Sequence, residues 1–268
     1  MRKLYLLILV GSLLVWGCKR DGEAPPSAPQ NLRGEAVNNG QDLKLTWDEP
    51  TEGKPDSYEV LCDGSTVKSN LPDTTTTYTI NGVQYVCKQV QVVAVKGSDR
   101  SAATLDLTPA QNTVTIYRWD YADVSKPSWA KVVFGPNVSV SGVTTSGVDC
   151  GLANTGYFVY QSDNSLRDVS TSGTPNQCQA KYEFAFSQAM TGDLAPSSGS
   201  YNTNRQISNN STYFYWADNT SVGYGQIDSN DYFGKISVSI SQDAQGFYAN
   251  LTIYTQNKVP GLRWVKQP

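Results

Sequence analysis

The sequence predicts an all-β chain, a smaller β-sandwich followed by a larger β-sandwich or jelly roll. Three observations carry that expectation. Short alternating apolar runs separated by Gly, Asn and Pro turn signals recur from Pro29 onward, the pattern of half-buried strands. No stretch sustains the 3.6-residue apolar period of an amphipathic helix. Composition shifts near residue 110, beyond which most of the aromatic residues lie among Ser, Thr, Asn and Gly with few charges. The chain has 268 residues, 17% of them charged, a formal net charge of −3 and no histidine. The lack of histidine excludes a Ser-His-Asp triad, a Cys-His pair and imidazole metal ligands. The lack of a basic excess argues against a nucleic-acid partner, because phosphates must be neutralised by Lys and Arg.

The first element is a leader. Met1-Arg2-Lys3 is a positive start, and Leu4 to Trp16 is an apolar run of thirteen residues. A membrane-spanning helix needs about 20 residues, so the run fits a secretory signal instead. It ends in Val15-Trp16-Gly17-Cys18, which resembles the bacterial lipoprotein signal, the lipobox. The resemblance implies cleavage after residue 17, lipidation of Cys18 and attachment to the membrane through that lipid. Lys19 stands where an aspartate often signals inner-membrane retention, which implies an outer-membrane or cell-surface position. Residues 18–28, with Pro25 and Pro26, are expected to form a short tether.

Four further cysteines, Cys62, Cys87, Cys150 and Cys178, suit an oxidising compartment. Of the three pairings open to them, Cys62–Cys87 with Cys150–Cys178 is expected, because each bridge then falls inside one proposed domain. Such loops would contribute about 3–4 kcal/mol each in the chain-entropy model.

Residues 29–109 are expected to form the first sandwich. Pro29-Gln30-Asn31-Leu32 opens it, and Asp42 to Trp47 alternates with Leu43, Leu45 and Trp47 on one face. Asn39-Gly40 ahead of that run is a hairpin signal, since both positions tolerate positive φ. Ser57 to Leu61, Tyr78 to Ile80 closed by Asn81-Gly82, Val90 to Val95, and Ala102 to Leu107 complete the strands. The opening Pro29, Trp47 on the second strand, Tyr58-Glu59-Val60 on the third, and the Val90 to Ala94 run together resemble a fibronectin type III module. That family usually opens its penultimate strand with a tyrosine, and Cys87-Lys88 occupies the region here. The resemblance therefore implies that a Cys62–Cys87 bridge takes over that corner's hydrogen bond. Such modules serve as spacers, adhesion units and companions of catalytic domains, so fold alone leaves function open.

Residues 110–268 are expected to supply seven to nine strands of the larger domain. Alternation is clear at Ala180, Tyr182, Phe184 and Phe186, at Ile236, Val238 and Ile240, and at Phe247, Ala249, Leu251 and Ile253. The last two runs flank a five-residue hairpin connection, Gln242 to Gly246. Further strands are expected around Val114–Trp119, Lys131–Phe134, Tyr157–Tyr160, Thr212–Trp216 and Leu262–Val265.

The candidate ligand site is an aromatic platform. Tyr213, Phe214, Tyr215 and Trp216 are consecutive, so in a strand Tyr213 and Tyr215 face opposite to Phe214 and Trp216. With Tyr224 nearby, exposed rings would stack on sugar faces while Asp218 and Asn219 bond hydroxyls; the alternative is that two covering layers bury the rings. Tyr117, Trp119, Tyr121 and Trp129 form a second such cluster, for which the same two readings stand and a role at the domain junction is also open. No catalytic residue is expected. Glu183 is the only glutamate beyond residue 110 and faces away from Tyr182 and Phe184, whereas a glycosidase needs two opposed carboxylates. No cofactor is expected either; Asp228 to Asp231, and Asp163-Asn164 with Asp168, are weak candidates for structural calcium, and neither has the EF-hand spacing.

The function expected from these observations is a surface-anchored binding or adhesion lipoprotein whose distal domain contacts a polysaccharide or a protein, carbohydrate being favoured by the aromatic, weakly charged composition. The alternative is an envelope subunit that self-associates through sheet edges into a filament or layer. An extracellular glycoside hydrolase is the third.

Overall fold

The structure, a computed structural model, describes residues 24–121, 123–244 and 246–267. The expected leader, the expected lipidation of Cys18 and most of the expected tether fall outside the described residues. Among those described, the only helical elements are two three-residue 3-10 turns, Thr145–Gly147 and Ser198–Ser200.

Seven strands build the first sandwich: β1 (Gln30–Val37), β2 (Asp42–Asp48), β3 (Ser57–Cys62), β4 (Ser65–Pro72), β5 (Thr77–Ile80), β6 (Gln89–Lys96) and β7 (Asp99–Asp106). A three-stranded sheet, β1-β2-β5, packs on a four-stranded sheet, β4-β3-β6-β7. The expected face of β2 is buried through Leu43, Leu45 and Trp47, and the Trp47 ring meets Tyr58 edge-on at 5.6 Å between centroids. Strand β4 has no counterpart among the expected runs. Its side chains are mostly exposed, so it has no apolar alternation to read. Asn39 and Gly40 adopt positive φ, as the hairpin signal requires. Cys62 and Cys87 are bridged. Beside that bridge the Asp63 carboxylate accepts from the N–H groups of Lys88 and Gln89 at 3.0 and 2.9 Å.

The second region has ten strands: β8 (Ala110–Tyr117), β9 (Trp129–Val133), β10 (Ser139–Val143), β11 (Thr155–Tyr160), β12 (Ser165–Asp168), β13 (Tyr182–Ala189), β14 (Asn204–Gln206), β15 (Ser211–Asn219), β16 (Tyr232–Asp243) and β17 (Gly246–Gln256). They form one sheet in the order β10-β9-β11-β13-β15-β16-β17-β8, with β12 and β14 branching from β11. The sheet curls until its ends meet. Gly142 of β10 lies against Thr115 of β8, and the Asn112 amide reaches the Val138 carbonyl at 3.4 Å. The result is barrel-like, with Phe134, Phe158, Phe184, Tyr215, Ile236 and Leu251 in its core. Two expectations are corrected. The β16–β17 hairpin is tighter than five residues, since Asp243 already pairs with Gly246. Leu262–Val265 is no strand; it makes one isolated bridge, Leu194 to Trp264.

That last segment does something the division at residue 110 does not anticipate. Val259, Leu262 and Trp264, at the end of the chain, are buried in the core of the first sandwich with Leu43, Leu45 and Ile80. Backbone polar groups there are satisfied across the junction: Arg263 N–H donates to Gly40 C=O at 2.8 Å, and Gln256 donates to Leu107 C=O at 3.0 Å. Gly82 is needed at this contact, because a Cβ would collide with the Gln41 carbonyl that receives the Trp264 indole. Leu107 and Pro109 are buried as well, so the connection between the two sandwiches runs through packed structure.

Candidate functional site

The structure first disposes of the expected platform. Tyr213, Tyr215 and Trp216 are 2%, 0% and 6% exposed. Both faces of β15 are covered, each by a different layer. Tyr213 and Tyr215 face the barrel core, whereas Phe214 and Trp216 face a smaller cluster with Ala195, Phe233 and Val265. The segment around Ala195 and the chain's final turn supply that second cover, which makes the double-faced aromatic run a buried central strand. Their polar atoms are used internally: the Tyr213 hydroxyl accepts from Ser208 N–H, the Tyr215 hydroxyl bonds Thr255, and the Trp216 indole donates to Asp231 at 3.0 Å. Asp218 and Asn219 are buried too; Asp218 accepts from Gly225 N–H at 2.6 Å and Asn219 accepts from Ser221 N–H at 3.2 Å. Tyr224 alone of the set is exposed, and its hydroxyl donates to Glu183 at 2.5 Å.

The candidate calcium loops are occupied by donors of the protein itself. Both Asp231 oxygens accept, from Asn219 N–H on one side and from Trp216 and Asp228 N–H on the other. Asp168, at the fork where β11 leaves β13 for β12, accepts from Phe184 and Ser170 N–H at 2.6 and 2.7 Å. Asp163 takes Ser165 and Arg167, and Asn164 takes the Tyr160 hydroxyl. Among the described residues no three acidic, Cys or His side chains converge on a metal-sized point. Burial pushes Asp168 and Asp231 up to about 7, and Asp218 up to about 6. These are carboxyls held in the protein to satisfy backbone N–H groups.

The second aromatic cluster is the one the fold opens to solvent. Tyr117 ends β8, opposite Tyr248 of β17, while Ala110 at the other end of β8 adjoins the domain junction. Seven residue steps of strand separate the two, about 24 Å at the usual rise, so the cluster lies at the far end of β8 and a role at the junction is ruled out for it. Here a cleft of about 560 Å³ is lined by Tyr117, Trp119, Tyr121, Val124, Ser146 and Asn176, among others. Trp119 is 44% exposed and Val124 88% exposed, an apolar rim held in water. Trp129, assigned to the same cluster, is buried behind the cleft and donates its indole N–H to Thr145 at 3.3 Å.

Each wall has an identifiable support. Trp119 N–H donates to Tyr160 C=O at 2.8 Å and Arg118 N–H to Phe247 C=O at 3.0 Å, fixing the chain that carries the tryptophan. Tyr121 packs on Tyr117 at 4.6 Å, and its hydroxyl donates to Asp243 at 2.8 Å. Burial and that carboxylate push the Tyr121 hydroxyl up to about 12. The opposite wall joins two loops, since the Asn176 amide donates to Thr145 C=O at 2.6 Å. The Cys150–Cys178 bridge ties the same two loops just behind it. Arg118 is paired with Asp120, Lys126 sits 5.4 Å over the Tyr117 ring, and Asp123 is held below the usual carboxylate range by the Ser125 hydroxyl and N–H. The charges in the cleft are thus compensated within the protein, and what it offers a ligand is aromatic surface edged by amides and hydroxyls.

Comparison with known proteins bears on the first sandwich. The fibronectin type III domain matches residues 27–108. A comparison with curated proteins finds no match to the chain.

Proposed function

We propose, from the premise that residues 27–108 form a fibronectin type III domain, that the protein is an extracytoplasmic lipoprotein whose barrel-like domain binds carbohydrate in the Trp119 cleft. The domain is consistent with a binding or adhesion module, and the two disulfides agree with an extracellular environment. The observation that carries the ligand class is the exposed Trp119 in a charge-compensated, aromatic cleft beside Asn176 and Ser146. A tryptophan held at the rim offers a flat apolar face, and neutral amides suit hydroxyls better than ions. The lipobox reading of Cys18 places the anchor before the first sandwich, with the cleft at the remote end of β8. The reading gives no catalytic role to Glu183, which is engaged by Tyr224 on the outside of the sheet, and it requires no cofactor. Assembly through the edges of the larger sheet has less support, because β8 and β10 cover one another; the edge strands of the first sandwich, such as β4, stay open to it.

The test is titration of the full chain against neutral cell-wall and host polysaccharides. Saturable binding that drops at least tenfold in Trp119→Ala, with unchanged thermal unfolding, supports the reading. Absence of binding to every glycan, or binding indifferent to Trp119, overturns it. Anchoring is checked separately: Cys18→Ala is expected to abolish fatty-acid incorporation and release the protein from membranes.

A further inference from the structure

A second concavity lies away from the cleft and shares none of its lining residues. It runs past Arg205 as two overlapping lobes of about 560 Å³ each, with Gln188, Ala189 and Arg205 common to both. A β-bulge opens it. The pairing of β13 with β15 shifts register between Phe186 and Ala189, and Ser187 Oγ takes over the Phe214 N–H that the ladder would have satisfied. Bulges re-aim side chains in this way, and here one swings Gln188 away from the sheet to face the groove. Arg205 projects from β14, which pairs with β12. Its Nε donates to Phe186 C=O at 3.3 Å, which fixes the side chain. Among the described residues no carboxylate lies within ion-pair distance of its guanidinium; the nearby Asp163 is taken by Arg167 at 2.5 Å. The rest of the lining comprises Asp163, whose charge is held by Arg167, the apolar Met190 and Pro196, and neutral polar residues that include Ser200, Asn202, Gln206 and Ser208.

We propose that this groove is a second saccharide subsite, which takes the carboxylate of a uronic acid on Arg205 and the ring hydroxyls on the surrounding amides and hydroxyls. An anchored guanidinium with both terminal nitrogens open presents a planar two-donor fork, and a carboxylate is the group that matches it. The amide and hydroxyl lining supplies donors and acceptors alternately, as a sugar's hydroxyls require. The contrast with the cleft is chemical: there Arg118 is ion-paired with Asp120 and Lys126 lies near Asp123, whereas the Arg205 guanidinium has no carboxylate of the described residues within ion-pair distance. The ligand class rests on the carbohydrate reading above, while the site rests on the groove itself.

The experiment is titration of the full chain with oligogalacturonate and with the same oligomer after reduction of its carboxylates to alcohols. The acidic form is expected to bind at least tenfold more tightly, with the preference shrinking as salt is raised. Arg205→Gln is expected to erase the preference, Arg205→Lys to restore part of it, and Trp119→Ala to leave it intact; thermal unfolding of each variant establishes that the fold is kept. Equal binding of the two oligomers, no binding of either, or a preference that survives in Arg205→Gln overturns the proposal. A glutamate-rich peptide that competes with the same Arg205 dependence overturns the saccharide class. If neutral glycans fail at the Trp119 cleft while the Arg205-dependent preference stands, the cleft reading fails alone.

Discussion

The indole Nε1 of Trp264 donates to the backbone carbonyl of Gln41 at 2.7 Å, joining residues 223 positions apart. The donor belongs to the segment that follows the barrel's last strand and the acceptor to the first hairpin of the other sandwich. The hydrogen bond sits in a socket shaped by Gly82, and the indole is fully buried. The first sandwich is therefore completed by side chains from the end of the chain.

Removing that plug is expected to destabilise the first sandwich specifically. Trp264→Ala should cost about 3–5 kcal/mol, as for other large aromatic truncations in cores. Residues 24–109 expressed alone should unfold at a lower temperature than the same sandwich in the full chain. Calorimetry of both proteins checks this, and identical melting of the isolated piece would remove the tail from the account.

Trp216→Ala separates burial from binding. Its ring stacks near Phe233 at 6.3 Å and its N–H satisfies Asp231, so truncation should cost about 3–5 kcal/mol in global stability. Glycan affinity per folded molecule should be unchanged. Trp119→Ala should do the reverse.

Stability should fall as pH rises from about 4 to about 7. Asp168, Asp218 and Asp231 are raised by burial to about 7, 6 and 7, from an ordinary value of 3.8. Across that window the folded chain keeps protons that the unfolded chain has released, so each unit of pH favours unfolding. Asp218→Asn keeps an oxygen for the Gly225 N–H and cannot ionise. Its melting temperature should be less dependent on pH than the wild type's, measured by thermal unfolding at pH 5 and pH 8. A profile as steep as the wild type's would show that Asp218 does not contribute.

Opening the Cys150–Cys178 bridge should impair the cleft before the fold. The paired Cys150→Ser and Cys178→Ser variant loses about 3 kcal/mol of loop constraint and frees the wall that carries Ser146 and Asn176. Glycan binding should weaken by at least a few-fold while the far-ultraviolet dichroism stays that of the wild type.

What could be read from the residues was governed by range. Alternation is a local property, so the strands holding Phe184, Val238 and Leu251 were legible, as was Trp47 in its sandwich core. The two disulfides followed from the same local division of the chain. Strand β4 was not legible because, as an edge with exposed side chains, it has no face to betray it. Burial of Tyr213 to Trp216 depended on a second cover from the Ala195 segment and Val265, which no local pattern announces. Gly82 looked like a strand terminator, and its further use is to admit Gln41 and Trp264. The cleft was half visible: Tyr117, Trp119 and Tyr121 were grouped correctly, yet only the β8–β17 register shows which end of the strand they occupy. Arg205 left no signal, since its lack of a partner is a property of the folded neighbourhood.

The tail also sets an order of events in time. The ribosome delivers the first sandwich early, but Val259, Leu262 and Trp264 must emerge before its core is full. At roughly 5–20 residues per second, the intervening barrel takes on the order of ten seconds to synthesise. Throughout that interval the nascent chain carries an apolar vacancy lined by Leu43, Leu45 and Ile80. The first sandwich, though it precedes the barrel in the chain, is thus completed only after the barrel has been made.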